Sequence, residues 1–418
     1  MGAMQTGKEG EPAGRIRLAY LASHPIQYQA PMLRRIAQEP GIELTVFFAS
    51  DFSVRGYRDE GFGVEVKWDI PLLEGCRHEF LPRIELSKSE GVLSPIGFGM
   101  LGRLRGRGNE APFDALWVAG YHTLTSMLGM LAAKSLDIPI LVRADVWLED
   151  RVRSGWKLAL KLVYFKMLQW LVDGVLTIGT MNHAYWTHYF GETVPLFLMP
   201  YAVDNDYFQQ RSKEAKANRS ALQRELQLDA DRPVILFASK LQERKRCSDL
   251  LNAYAALIRR QRLSKQPYLV IVGDGEERSA LEEQAKAGGL RDVRFCGFQN
   301  QTQIPRFFEL CSVFVLPSRH EPWGLIVNEV MNAARPVIVS DEVGCYPDLV
   351  RDGMEGLVFP AGDVAALTAA LEKVLVNPEV AAAMGRRGLE RIRQWSFEED
   401  VTALREALTV VTGKVCQR

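Results

Sequence analysis

At 418 residues with 47% hydrophobic content, the chain is long enough for two cores of about 200 residues each. Lys plus Arg and Asp plus Glu both total 51, so no net field points to nucleic acid or another polyanionic partner. Six scattered cysteines form no Cys-x-x-Cys pair and have no histidine at ligand spacing, which argues against zinc or a disulfide framework and suits reduced thiols in the cytoplasm.

Residues 1–14 are polar and Gly-rich, lack the apolar core of a signal peptide and read as a disordered lead. A strand over 16–22, a turn carrying His24-Pro25, a helix over 26–38 and a strand over 42–48 compose a βαβ unit. The stretch from about 50 to 110 is Gly- and Pro-rich with weak periodicity, and reads as an irregular insertion on the acceptor side. Apolar runs at 115–118, 138–142, 175–178 and 196–199 then alternate with helical patterns, which means a parallel sheet covered on both faces. Although 115–133 carries no charge, Gly120 to Thr123 interrupt it, and it parses as strand, loop and helix rather than a bilayer span. The helix over 151–172 holds five basic residues and no acid. Arg153, Lys157 and Lys161 form one stripe, and Trp156, Leu160, Val163, Met167 and Trp170 form the opposite one. Such a helix can rest peripherally on an anionic membrane face. The favoured expectation is that its apolar stripe covers the sheet and its charges face water.

A polar segment over 205–232 reads as the interdomain link. Beyond it, strands are predicted at 234–238, 268–272, 293–296, 313–316 and 336–340. Helices are predicted near 247–260, 276–288, 325–334 and 364–375. The implied organisation is α/β: one Rossmann-like, doubly wound domain over 15–205, a second over 206–395, and a last helix within 396–418 placed to cross back to the first. Two such domains face each other across a cleft, a favoured ligand site.

The run Glu321-Pro322-Trp323-Gly324-Leu325-Ile326-Val327-Asn328-Glu329 follows a predicted strand and opens a helix, the position where open α/β sheets bind ligands. The N–H groups of Gly324, Leu325 and Ile326 are expected to be free at the helix start, an anion site flanked by two carboxylates. Lys240, Arg244, Lys245 and Arg246 follow another strand and can neutralise a diphosphate leaving group. Alone, such a charge run more often faces solvent; beside Glu321 and Glu329 at the same sheet edge it reads as a site. Gly273 and Gly275 follow a third strand, where glycine permits either close ligand approach or a tight turn. The remaining glycine of a dinucleotide fingerprint is missing, and no phosphate-binding Gly-x-x-x-x-Gly-Lys-Ser/Thr loop occurs. His24, His122 and Arg143 end strands on the first domain's cleft side; loop histidines of this kind are more often structural than catalytic.

Together these residues resemble the GT-B glycosyltransferases, in particular the retaining family 4 group. The motifs run from Ser239-Lys240 to Lys245, through Val270 to Gly275, Phe295 to Phe298, Pro317 to Leu325 and Ala334 to Ile338, ending at Gly356 to Pro360. The first half matches more loosely, through His24, His122, Thr177 to Thr180 and Pro200 to Asp204. The resemblance implies Glu321 at the donor sugar hydroxyls, Glu329 at the ribose hydroxyls, Lys240 and Lys245 on the donor diphosphate, Phe298 near the base and His122 near the transferred sugar. Lys at position 240, where relatives carry Arg, keeps the charge but loses bidentate geometry. It further implies a nucleotide diphosphate sugar as co-substrate, a small-molecule, glycan or lipid-linked acceptor, and no metal. Transfer with retention of configuration is the expected activity. A GT-B sugar-nucleotide epimerase, a phosphorylase or a non-catalytic nucleotide-sugar-binding protein are the alternatives, since a fold does not fix a function.

Overall fold

The computed structural model describes residues 15–85, 95–148 and 155–416. Two parallel sheets organise them. The first has seven strands in the order Leu196–Leu198, Gly174–Thr177, Ile140–Arg143, Ala115–Ala119, Ile16–Ala22, Ile42–Phe48, Arg77–Phe80. The second has six, in the order Val293–Phe295, Tyr268–Val272, Val234–Ala238, Val313–Leu316, Val337–Ser340, Gly356–Phe359. Most central strands are short runs of Val, Ile, Leu and Phe that are buried along their length, as a sheet covered by helices on both faces requires. In each sheet the chain order reverses beside the first strand: Ile16–Ala22 lies between Ala115–Ala119 and Ile42–Phe48, and Val234–Ala238 lies between Val313–Leu316 and Tyr268–Val272. At such a switch point the loops leaving two neighbouring strands part in opposite directions and open a crevice.

Several elements differ from the sequence expectation. The 50–110 insertion supplies an edge strand of the first sheet, Arg77–Phe80, paired with Ile42–Phe48. It also forms an antiparallel hairpin of Tyr57–Asp59 with Val64–Val66. The polar 205–232 segment is no plain linker: helices Asn205–Ala217 and Arg219–Glu225 pack on helix Ile304–Leu310 of the second domain. Asp204 starts the first of these helices by accepting the Tyr207 N–H at 2.9 Å.

The basic helix is turned the other way from expectation. Along Gly155–Leu171, Leu160, Val163 and Trp170 are 60, 70 and 64% exposed, while Phe165, Leu168 and Leu171 are buried. The Lys161 ammonium lies 4.6 and 4.4 Å from the ring centroids of Tyr185 and Tyr189, on the packed side. The helix carries two apolar stripes, and the one containing Phe165 meets the buried aromatics Tyr185, Trp186 and Phe190. Arg151, Arg153 and the side chains of Trp156 and Lys157 lie outside the described residues. Among the described residues no helix is long and apolar enough to cross a membrane.

The last helix, Phe397–Thr412, opens with a capping box of Ser396 and Glu399 and packs on the first sheet. Leu404, Ala407 and Leu408 join the core built on Ile16, Leu18 and Trp117. Arg35 pairs with Glu398 at 2.6 Å and Arg405 with Glu39 at 2.5 Å along the same seam.

Candidate active site

The second sheet's switch point places two loops side by side, 239–246 after Val234–Ala238 and 317–325 after Val313–Leu316. The Arg319 N–H donates to the Arg244 carbonyl at 2.7 Å and locks them together. Arg246 (φ 55°) and His320 (φ 53°) hold left-handed backbone, which costs free energy for residues with side chains and concentrates at functional loops. Each of these strained residues adjoins a charged one. The Lys245 ammonium and a Glu321 carboxylate oxygen form a short ion pair, both residues only 8% exposed, and Arg244 Nη1 approaches the same oxygen at 3.4 Å. Burial alone pushes the Glu321 carboxyl up, but the adjacent Lys245 and Arg244 charges prevail and hold it below its ordinary value. The carboxylate is therefore ionised at neutral pH.

Gly324 turns the chain into the next helix at φ 87°. A Cβ there would sit 2.8 Å from Val343 Cγ1 and 3.0 Å from Leu316 Cδ2, both core atoms, so the turn needs glycine. The helix is Ile326–Met331, shorter than the predicted 325–334, with Leu325 as its N-cap. The Val327 N–H closes the first turn on the Gly324 carbonyl at 2.9 Å. Among the described residues the backbone N–H groups of Gly324, Leu325 and Ile326 donate no backbone hydrogen bond. Trp323 is buried behind them, its indole N–H donating to Asn328 Oδ1 at 2.9 Å, and Asn328 in turn donates to the Tyr201 carbonyl of the first domain at 2.8 Å.

Gly273 packs closely on neighbouring backbone. Its N–H donates to the Gly297 carbonyl at 2.8 Å, and a Cβ would lie 1.9 Å from the Ser239 carbonyl oxygen. It lets the ends of two neighbouring strands close on each other. Phe298 follows the edge strand Val293–Phe295, and its ring meets Phe62 at 4.8 Å and Trp68 at 6.2 Å.

On the first domain, His24 is half-buried after Ile16–Ala22, its Nδ1 2.9 Å from Ser23 Oγ and its ring 4.4 Å from Phe52. Burial pulls its imidazole down to about 4, so it is neutral at pH 7. His122 is exposed in the loop between Ala115–Ala119 and helix Leu124–Lys134. Arg143, expected on the acceptor or phosphate side, is engaged by internal groups. Its Nη2 donates to the Met199 and Pro200 carbonyls at 3.1 and 2.8 Å and lies 3.6 Å from Asp400, so it ties the sheet to the last helix. Asp145, two residues on, lies exposed past the strand end. Surrounding protein pushes its carboxyl up; the charges of His122 and Arg143 oppose this and Glu321 adds to it. Asp145 carried no motif of its own in the sequence.

Glu329 lines a cavity of about 150 Å³ between the domains, together with Gln27, Tyr28, Asp204, Tyr207 and Gln301. Burial pushes its carboxyl up to about 8. Both glutamates thus stand at the interdomain gap, Glu321 on the basic loop and Glu329 in the cavity. Hydrogen bonds and an ion pair join the domains directly. Asp348 accepts from the Thr180 N–H at 2.9 Å and the Thr180 hydroxyl at 2.6 Å. The insertion crosses the gap as well, with Lys240 Nζ 2.8 and 3.0 Å from the two Asp59 carboxylate oxygens.

This architecture, two parallel α/β domains with the charged loops at the gap, is that of the GT-B glycosyltransferases. It matches sucrose-phosphate synthase from Thermosynechococcus elongatus at a TM-score of 0.68 and 18% identity, covering 96% of this chain and 100% of that one. It matches Anabaena Alr3699/HepE in complex with UDP-glucose at a TM-score of 0.69 and 17% identity, covering 95% and 100%. Residues 218–391 match the family described as Glycosyl transferases group 1. The second domain is a glycosyl transferases group 1 domain. The chain is 34% identical over 171 residues to alpha-D-kanosaminyltransferase of Streptomyces kanamyceticus, covering 41% of this chain and 43% of the relative. It is 31% identical over 207 residues to D-inositol 3-phosphate glycosyltransferase of Saccharomonospora viridis, covering 47% and 48%. The matches thus span under half the length of these relatives.

Proposed function

We propose that the protein is a cytoplasmic glycosyltransferase that moves a sugar from a nucleoside diphosphate sugar to an acceptor hydroxyl, with retention of anomeric configuration and without a divalent metal. The observation that carries this reading is the buried Lys245–Glu321 ion pair at the second sheet's switch point. Lys240, Lys245 and the N–H groups of Gly324 to Ile326 take up charge on the departing diphosphate. Glu321, kept ionised by Lys245, accepts hydrogen bonds from the sugar hydroxyls; Glu329 serves the ribose and Phe298 the base. His122 stands beside the transferred sugar, and His24 and Asp145 shape the acceptor side. The bond from the anomeric carbon to the phosphate oxygen breaks, and the acceptor oxygen bonds that carbon on the same face. The acceptor proton passes to the departing phosphate oxygen, so positioning and charge do the work.

Incubation with UDP-, GDP-, ADP- and TDP-sugars in EDTA, with and without acceptors, tests this. Acceptor-dependent release of one nucleoside diphosphate is expected. Epimerised donor without acceptor, or strict metal dependence, would contradict it. The exposed stripe of Leu160, Val163, Met167 and Trp170 favours a second element, an acceptor carried at a lipid surface. The same helix backs the His122 loop, because the Tyr164 hydroxyl donates to the Tyr121 carbonyl in a short hydrogen bond. Co-sedimentation with anionic liposomes is expected, and its absence would remove the lipid-surface acceptor.

A further inference from the structure

Residues 57–71 contact two of the groups to which the proposed function gives the donor, Lys240 and Phe298, and line the cavity of a third, Glu329. Asp59 sits on Lys240, the residue read as a diphosphate ligand, at 2.8 and 3.0 Å. Phe62 caps Phe298, the residue read as the base support, and Trp68 meets it from a second direction. Asn300 and Thr302, just past Phe298, are clasped in turn: the Asn300 side-chain amide donates to the Lys67 carbonyl at 2.6 Å, and the Thr302 N–H donates to Asp69 at 3.2 Å. Ile70 and Pro71 then line the cavity that holds Glu329. That cavity, about 150 Å³, is smaller than the roughly 300–1,000 Å³ of pockets that enclose ligands of this size.

We propose that segment 57–71 is a strap that fills the donor site of the empty protein, with the Asp59 carboxylate standing on Lys240 where the donor's phosphate belongs. This rests on the donor reading above and adds a competitor built into the chain. Asp59 is preorganised for this contact, because its Oδ1 also accepts the Gly61 and Phe62 N–H groups at 2.8 and 2.9 Å, a turn that survives when the lysine leaves. Gly61 is part of the fit, because a Cβ there would meet Lys240 Cδ at 2.7 Å and Nζ at 2.8 Å. Lys240 also lies 4.8 Å from the Phe62 ring, so one side chain holds both the acid and the aromatic of the strap. Water reaches the ion pair from the lysine side, the Lys240 side chain being 32% exposed and that of Asp59 11%, and a doubly charged phosphate can compete for the lysine there. A donor that enters must first take Lys240 from Asp59, and the strap's release enlarges the cavity beside Glu329.

Calorimetric titration of the full chain with UDP, GDP, ADP and TDP, and with the four matching nucleosides, tests the competition. Asp59→Asn keeps the acceptor oxygen for the Gly61 and Phe62 N–H groups and removes only the charge. It is expected to tighten the diphosphate that binds by about 1.5- to fivefold, the range of one weak ion pair, and to tighten the nucleoside less. A diphosphate affinity that is unchanged or weaker in Asp59→Asn overturns the strap. Hydrogen exchange on the unmodified protein gives an independent reading: amides of 64–69 are expected to exchange faster on adding the diphosphate, and slower or equal exchange overturns the proposal. If the unmodified protein binds a diphosphate while the variant shows no gain, the strap fails and the donor reading stands. If neither binds any of the four, the donor reading fails and the strap falls with it.

Discussion

Lys245→Ala probes the centre of the site because it separates two consequences of one contact. Lys245 and Glu321 are each 8% exposed and paired to each other, so truncating the lysine leaves a carboxylate buried with only Arg244, at 3.4 Å, as counter-charge. Breaking a buried pair from one side costs about 3–5 kcal/mol, and the remaining arginine places this case near the lower end, about 3 kcal/mol. For a domain of this size that is a fall of roughly 6–12 °C in Tm. Separately, loss of a charge that stabilises the departing diphosphate lowers kcat by about 10²–10³, or roughly 2.7–4 kcal/mol of barrier. The assay is a double-mutant cycle of Lys245→Ala and Glu321→Ala, read by thermal melting and by steady-state turnover. The double variant removes both charges, so it is expected to be more stable than the sum of the singles predicts, by about 1–3 kcal/mol. Additive stabilities, or a Lys245→Ala enzyme within about threefold of the parent kcat, would refute this reasoning.

Glu329 is held protonated at pH 7 in the empty cavity, its carboxyl pushed up to about 8 from 4.5 by burial. Ribose hydroxyls are best accepted by the ionised form, so nucleoside binding is expected to release a proton below pH 8 and to tighten by up to about tenfold per pH unit between pH 6 and 8. Calorimetry in buffers of different ionisation enthalpy would show it, and Glu329→Gln should abolish it. The same raised carboxyl makes the empty protein lose stability as pH climbs from 4.5 towards about 8, because the unfolded chain ionises first; Glu329→Gln should flatten that slope in a pH series of melts. Gly324→Ala must hold φ 87° with a methyl against Val343 and Leu316. A destabilisation of about 2–4 kcal/mol is expected, with turnover falling as the helix start shifts. A Tm equal to the parent's would show that the turn does not need glycine.

The fold was legible where burial writes itself into the sequence. The strands Val234–Ala238, Tyr268–Val272 and Val313–Leu316 are uninterrupted apolar runs because both sheet faces are covered, and their ends were readable to the residue. The edge strand Arg77–Phe80 was not, since none of Arg77, His78, Glu79 and Phe80 is fully buried and no alternation marks them. On the second domain, local motifs carried the site: Glu321 and Glu329 lie eight positions apart, and the glycines and lysines follow strands directly. Across the gap the signal vanishes, because the Asp59–Lys240 contact joins positions 181 residues apart and neither side advertises the other. Arg143 and Asp145 show how narrow the margin is. Arg143 ends the strand and is consumed by buried carbonyls, while Asp145 lies past the strand end and is exposed. The helix Gly155–Leu171 misled for a different reason. With apolar residues on two faces, its own sequence does not say which meets the aromatic cluster of Tyr185 and Trp186.

The donor claim is tested most directly by thermal denaturation of the full chain in millimolar UDP, GDP, ADP and TDP. A ligand that binds only the folded state at a hundred times its Kd adds about 2.7 kcal/mol, a shift of several degrees. One of the four is expected to raise Tm in this way, and Lys245→Ala to remove most of the gain. Identical melting in all four, with the protein folded and EDTA present or absent, would contradict it.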